Sequence, residues 1–538
     1  MHTLKLPLKP GIREERFLAQ MFRTIANIHN AVVSYGKKRL RMYKRDKRYK
    51  KTSEKYVYYK ELLEKLSVPD LKEDETDAAL IAAYNKALAT KAYYEKQLSY
   101  FGNQFNQLQE EYGLTKDDVE AYAKTLQHRY SHILTSPQVQ KEADHVWDGI
   151  YKVLYKGAKQ IHYKKWTEFN TISQKSTDCG VRFDRKSMSI EFKNATISVV
   201  FKDDRKFHYK AKALDAEVSY YEIKRMKLKS GWRYYVNIVL KGPAPKKVVS
   251  GTELVGIDPG VSTEAIDSEK WTDLFELAPD YKRYNEKIKQ LQRGIDRKKR
   301  LLNPDNYNED GTIKKGRHTW KKSKRLKREE WLLSVMYQKK SLDMRQSHDE
   351  QINKLIPFAK GFLVEEMNFK DLAKRAKKQA DADREKAAAN DKSGKYIVIT
   401  KKDGTTVTVR KNKRTKRFGP SINNRAPGLF LTRLKTKAKQ YGLTYETVNS
   451  RTMKASQYDH TTGECTKVPL SQRMKEVGGK KVQRDMYSAF LIRNAKADRK
   501  TPNRNRCKKG FDAFVIRQNA AIERIIASGV ERPACFGF

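Results

Sequence analysis

The chain opens on an alternation. Leu4, Leu6 and Leu8 share one side of a short segment that Pro10 and Gly11 close, which predicts an edge strand of a sheet completed later in the sequence. The period then changes. Phe17, Met21, Ile25, Ile28 and Val32 step by three and four, the spacing of one apolar helix face. Helical patterning continues through AALIAAYNKALATKAYYEKQL to about Trp166, so 11–170 reads as an all-helical region. From about 171 to 247 a period of two returns in SMSIEFKN, ATISVVFK and EIKRMKLKSGWRYYVNIVLK. The last of these reads as a hairpin turning at Ser230-Gly231. With the first strand, these runs predict a small antiparallel β-barrel over 1–10 and 171–250, into which the helical region is inserted.

GPAPKKVVSG, residues 242–251, is the clearest linker in the chain. Beyond it, GTELVGIDPGVSTEAI reads as an apolar strand, a turn and a second strand. Two basic helices follow. The first carries Tyr284, Ile288, Leu291 and Ile295 on one face, and the second begins in KKSKRLKREEWLLSVMYQKK and ends near Pro357. GFLVEE is another apolar strand. Residues 371–420 form a basic insertion holding one hairpin, KYIVITKKDGTTVTVRK, with Asp403-Gly404 as its turn. The helix GLFLTRLKTKAKQYG, the strand LTYETVNS, an irregular stretch to about Lys480, a helix from near Asp485 and another over 514–527 complete the pattern. The fold class is therefore multidomain α+β, with a mixed sheet and helices over 251–370 and 421–538.

Composition sharpens this. At 538 residues the chain has room for three to four domains at ~100–200 residues each, and 38% hydrophobic content supplies real cores. Lys and Arg number 114 against 64 Asp and Glu, a formal charge of +50. Such a field repels itself unless neutralised, and a polyphosphate backbone is the natural counter-charge. The basic residues run through the folded segments rather than forming one tail, so nucleic acid is the expected partner, long RNA before duplex DNA alone. Four scattered cysteines, none in a CxxC pair, make no disulfide framework. The opening MHTLKLPLKPG lacks an apolar targeting core and no run approaches membrane-spanning length. No membrane partner is expected, and a reducing cytoplasm fits.

Three carboxylates carry candidate chemistry. Asp258 ends the strand LVGID, Glu365 ends FLVE, and Asp485 opens the helix DMYSAFLI, where Ala489 is small enough for close packing against a sheet. A carboxylate at the end of a buried strand needs a compensating partner. Hard Mg²⁺ or Mn²⁺ is such a partner, and a pair of these ions supports phosphodiester cleavage. Each residue also has a plainer reading. Asp258-Pro259-Gly260 is a good turn, Glu365-Glu366 suits a solvent-facing strand end, and Asp485 suits the first turn of a helix.

The set GIDPGVSTEAI, FLVEEMNF and QRDMYSAFLI resembles the three split RuvC motifs of the TnpB family, transposon-encoded nucleases related to compact type V CRISPR effectors. The likeness extends to LQRGIDRKKR, HDEQINKL and GLFLTRLKTKAKQYGLTYETVNSRTMKASQ, and covers about Glu253 to Gln518. It implies an RNase H-like RuvC nuclease domain in which Asp258, Glu365 and Asp485 hold two Mg²⁺ (or Mn²⁺) as catalytic and metal residues. It implies that the barrel is a wedge domain and the helices a recognition lobe. It also implies guide RNA and target DNA as partners, the DNA as duplex and as RNA–DNA heteroduplex. Lys37, Lys38, Arg39, Arg41, Lys44 and Arg45 are the candidate phosphate contacts of the lobe, with Arg293, Arg297, Lys298 and Arg484 in the nuclease half.

One feature departs from the family. Its four-cysteine zinc ribbon lies between the second and third motifs, whereas 361–500 here holds only Cys465. With His460 that makes two ligands of the four a structural zinc needs, so no zinc is expected and 450–484 reads as a degenerate ribbon. The expected activity is RNA-guided DNA endonuclease of a transposon. The same machine as a compact type V CRISPR effector, or as an inactive RNA-guided repressor, stands beside it. A DNA-joining transposase would need a paired-histidine motif with its tyrosine nucleophile, and no HxH occurs.

Overall fold

The computed structural model describes all residues except 71–76, 178, 194, 202–206, 310, 374–395, 401–405, 411–417 and 470. The chain divides into two compact units, Met1–Pro245 and Lys246–Phe538. Among the described residues no helix is long and apolar enough to cross a membrane.

In the first unit, β1 (His2–Lys9) is followed by five helices: α1 (Ile12–Arg45), α2 (Lys47–Lys65), α3 (Ala78–Glu111), α4 (Lys116–His128) and α5 (Ser136–Tyr155). Capping fixes several of the helix starts: Asp46 opens α2, Asp77 opens α3, and Thr115 with Asp118 closes a capping box on α4. The sheet strands come next: β2 (Thr171–Ser173), β3 (Arg182–Asp184), β4 (Ser189–Phe192) and β5 (Ala195–Val199). After α6 (Phe207–Ala213), β6 (Val218–Leu228) and β7 (Gly231–Leu240) complete it.

The strand order is β2-β6-β7-β1-β5-β4-β3, so the expected closed barrel is instead an open, antiparallel half-barrel with β2 and β3 at its edges. The first strand is likewise not an edge. β1 pairs β7 along His2–Pro7 and β5 at Leu8–Lys9, joining two half-sheets, and its Leu4, Leu6 and Leu8 are buried. The β6–β7 turn is Lys229-Ser230, one residue earlier than expected, because Gly231 (φ 149°) already pairs with Leu228. Arg225 on β6 is buried between the rings of Phe22 (4.0 Å) and Trp232 (3.9 Å), and its Nε donates to the Phe169 carbonyl at 2.8 Å. It thereby ties α1 to the sheet. Burial lowers its pKa to about 10.

The second unit is built on β8 (Glu253–Pro259), β9 (Thr263–Asp267), β10 (Thr272–Glu276), β11 (Ala359–Glu365) and β14 (Thr444–Val448), in the order β10-β9-β8-β11-β14. The first three are antiparallel, and β11 runs parallel to both β8 and β14. Helices α7 (Tyr281–Leu302) and α8 (Lys324–Leu355) connect β10 to β11. Beyond β11 stand α9 (Phe369–Leu372) and the hairpin β12 (Tyr396–Thr400) with β13 (Thr406–Arg410), whose expected Asp403-Gly404 turn lies outside the described residues. α10 (Gly419–Arg425) and α11 (Pro427–Tyr441) precede β14, and α12 (Ser450–Met453) follows it. Among the strands, two features were not expected from the sequence. One is β10. The other is the hairpin of β15 (Met474–Val477) and β16 (Lys480–Gln483), turned by Gly478 and Gly479 at φ 55° and 74°.

α13 (Arg484–Arg493) and α14 (Arg504–Ala527) cover one face of the sheet. α13 lies directly on β8. A Cβ at Gly256 would fall 2.6 Å from the Arg493 nitrogen and closer still to the Ala489 carbonyl oxygen, so only glycine fits there. The opposite face packs Ile257, Ile266, Phe362 and Val364 against Phe430, Leu434 and Ala438 of α11.

Gly256→Ala is expected to destabilise the second unit by about 1–3 kcal/mol, the usual range for overpacking. Urea unfolding monitored by circular dichroism would measure it. An unchanged midpoint would show that α13 does not need this close approach.

Candidate active site

β8 and β11 run side by side in parallel, with Ile257 opposite Val364, and the next residues along are Asp258 and Glu365. Both therefore emerge at the same ends of adjacent strands. Across β8–β9, Asp258 is opposite Ala265, which belongs to the face that α13 covers. Asp485 sits in the first turn of α13, one turn before the Ala489 that packs on Gly256. Gln483 caps that helix, its side chain accepting from the Met486 N–H at 2.7 Å.

The three carboxylates line one cavity of about 320 Å³. Its other walls are the turn Pro259–Thr263, then Met367, Leu372, Phe418, Ser456, Arg473, Arg484 and Cys535. Burial, followed by the charges of Glu365 and Asp485, pushes the Asp258 carboxyl well above the usual carboxylate range. Glu365 is also raised, by burial, and shares a hydrogen bond with Asp258. Asp485 faces guanidinium groups instead, with Arg473 Nη1 at 3.4 Å and Arg484 Nε at 3.5 Å. Among the described residues no three His, Cys, Asp or Glu side chains stand together as a ready-made metal cluster. The three acids share a cavity, two of them with carboxyls raised by burial and the third facing arginines.

The chemistry of the donor set suits a hard divalent cation. The three carboxylates offer oxygen ligands, and burial, joined at Asp258 by the charges of Glu365 and Asp485, disfavours ionised forms that such a cation would stabilise.

The candidate phosphate contacts fall into two groups. On α1, Lys37, Lys38, Arg39, Arg41, Lys44 and Arg45 make no ion pair among the described residues. Lys37, Arg41 and Lys44 line a groove of about 310 Å³ with Lys159, Gln160 and Ile161. On α7, Arg293 and Arg297 are exposed, but Lys298 is engaged by Glu329 at 2.7 Å. Arg484 is buried in the carboxylate cavity. In the ribbon region, His460 is buried with Nδ1 2.7 Å from the Tyr487 hydroxyl, and Cys465 is exposed.

Three residues escaped the sequence reading. Arg473 and Cys535 reach the cavity from segments without periodic pattern. Glu264 is fully buried on β9 beside the site, and neither carboxylate oxygen has a hydrogen-bond partner. Alternation along β9 puts it on the face of Ile266, away from α13. Burial, with a smaller contribution from Asp258, raises its pKa well above the usual range. Only the alternation TEAID with a charged residue at an inward position could have pointed to it.

No protein-family model matches this sequence. No curated protein matches it. Among solved structures, a cryo-EM structure of a CRISPR-Cas12f ternary complex overlaps 92% of this chain and 99% of that chain, at 14% identity and a TM-score of 0.26. So loose an overlap assigns neither fold nor activity, and the functional case stands on the residues of this chain.

Glu264 supplies a pH test. An acid whose folded pKa is raised holds more protons folded than unfolded, so stability falls as pH rises above the unfolded value near 4.3. Glu264→Gln keeps the shape and removes the titration. It is expected to match the parent near pH 4. Above that it should gain on the parent by up to about 1.4 kcal/mol per pH unit until the folded pKa is reached. Thermal unfolding between pH 4 and 8 measures this, and parallel stability curves would refute a buried neutral Glu264.

Proposed function

We propose that this chain is an RNA-guided DNA endonuclease of the transposon-encoded TnpB kind, with a RuvC-type cutting centre. The observation that carries the reading is the meeting of Asp258, Glu365 and Asp485 on one cavity from three separate sequence motifs. Individually, each had an ordinary structural role available. A turn aspartate, a solvent-facing strand end and a helix-capping acid would have no reason to converge. The strand order β10-β9-β8-β11-β14, antiparallel then parallel, supports the RNase H-like expectation.

Asp258, Glu365 and Asp485 would hold the divalent ions, Mg²⁺ or Mn²⁺. When bound, such ions activate water and stabilise the leaving oxygen of a phosphodiester. The rest falls to the chain itself. Arg473 and Arg484 present guanidinium forks to the same cavity, a shape that matches phosphate oxygens. Their contacts to Asp485 are long, so a phosphate could draw them away at small loss. The turn Pro259–Thr263 and Met367, Leu372 and Phe418 wall the cavity and limit water. In the first unit, the unpaired cations of α1 supply sequence-independent phosphate contact, while base pairing with a guide would supply specificity.

The test begins with the protein expressed beside its native flanking DNA and the sequencing of whatever RNA copurifies. One discrete structured RNA ending in transposon-flank sequence supports the proposal. Processed repeat–spacer RNA would move the chain to the CRISPR class, and random cellular RNA removed by salt would overturn the guided reading. With guide and matching DNA supplied, Asp258→Ala is expected to bind and not cut. Outer-shell partners of metal sites are worth about 10–100-fold, so loss of a direct ligand should lower cleavage at least about a hundredfold. Undiminished cutting by this variant would remove Asp258 from the centre.

A further inference from the structure

The first unit carries a second cavity that the cutting reaction does not use. It lies between α2 and α3, encloses about 400 Å³, and is lined by Arg48, Lys51, Lys55, Tyr100, Gln104 and Gln107 among others. Three kinds of group meet there. Tyr100 is 56% exposed, and its ring stands edge-on to Phe101 (5.2 Å, 70°), which in turn stacks on Tyr59 at 5.9 Å. A large aromatic ring is thus braced from behind while remaining open to the groove.

Two amides stand one and two turns further along α3. Gln104 Oε1 accepts from the Thr52 hydroxyl at 3.0 Å, which fixes the amide and leaves its NH₂ to donate. Gln107 is exposed. The cations differ in state. Arg48 is bound by Asp46 and Glu111, at 2.9 and 2.7 Å. Lys51 and Lys55 are exposed and make no ion pair among the described residues. Since Arg48 already neutralises Glu111, the open charge of the groove is positive.

We infer that this groove is a binding site for one unpaired nucleotide of a single-stranded RNA or DNA segment. The base would stack on Tyr100, its polar edge would meet Gln104 and Gln107, and its phosphate would meet Lys51 and Lys55. Stacking on an aromatic ring beside free cations is the general means of holding single strands without reading sequence. A duplex buries its base faces and cannot use Tyr100. An acidic peptide would satisfy the lysines and leave the ring and the amides unused. The site is independent of the carboxylates, and the proposed function enters only as the source of the strand.

The experiment uses the full chain with Asp258→Asn, so that cutting does not enter the result. Tyr100→Trp places a reporter at the groove, and an exposed position tolerates the change. Added (U)₈ RNA or (dT)₈ DNA is expected to quench the new fluorescence at moderate salt. The stronger quencher of the two identifies the natural strand. Lys51→Glu with Lys55→Glu should remove the quenching while circular dichroism stays unchanged. In the Tyr100 parent, Tyr100→Ala should weaken octamer binding at least about fivefold, the lower end for loss of one stacked base. Equal quenching by an eight-base-pair duplex or by an octaglutamate peptide would overturn the inference. So would absence of quenching by either single strand.

Discussion

The candidate site depends on one close approach of backbone to backbone. α13 lies on β8 where Gly256 has no side chain and Ala489 almost none. That contact sets the distance between helix and sheet, and with it the position of Asp485 relative to Asp258 and Glu365. The two strand residues need no such help, since parallel pairing of β8 and β11 alone puts them side by side. Register delivers two carboxylates, and packing delivers the third. The face is then sealed by Leu363, Phe490, Phe511 and Phe514, so the helix cannot shift to relieve the acids.

Electrostatics in the same layer shows two solutions to one problem. Asp267, at the far end of β9, is fully buried, yet Arg493 Nε meets it at 2.5 Å, Arg517 at 3.2 Å and the Thr272 hydroxyl at 2.5 Å. Its charge is matched within the fold. Asp258 and Glu365 lack that matching, and their protonation is displaced upward instead. A chain with 114 basic residues has cations to spare. Among the described residues neither acid forms a direct ion pair with a guanidinium, while Asp267 forms two, which sets the carboxylate cavity apart from an ordinary buried ion pair.

Much of this was legible in the sequence because it rests on local pattern. The alternation of Leu4, Leu6 and Leu8, the helical face through Ile28, and the apolar strands ending at Asp258 and Glu365 each follow from side-chain periodicity. What failed depends on distant partners. Periodicity shows that β1 has a buried face. It cannot show that β1 joins two half-sheets, because Pro7 in an isolated strand argues for an edge. Lys298 looked like any cation of a basic helix until Glu329, 31 residues on, was seen to hold it. Arg473 enters the cavity from a loop and Cys535 from the single 3-10 turn Ala534–Phe536, and neither offers a period to follow. The Gly478-Gly479 turn, by contrast, is a local signal present in the sequence.

The distribution of paired and unpaired cations bears on how the excess charge is used. Lys298 and Lys299 on α7 are met by Glu329 and Glu330 on α8, and Lys322 just before α8 also meets Glu330, so part of the basic composition there serves attachment between α7 and α8. On α4 and α5, Glu120 and Asp144 bind Lys116 and Lys175 in the same way. Among the described residues the six cations at the end of α1 form no such ion pair. Six cations follow Tyr35 over little more than two turns, and Lys159 adds to the same groove. Like charges so placed repel one another, and the arrangement is stable only to the extent that packing of the buried face holds the helix. A helix end kept positive at that disadvantage is where an external polyanion, such as the nucleic acid of the proposed function, would supply counter-charge.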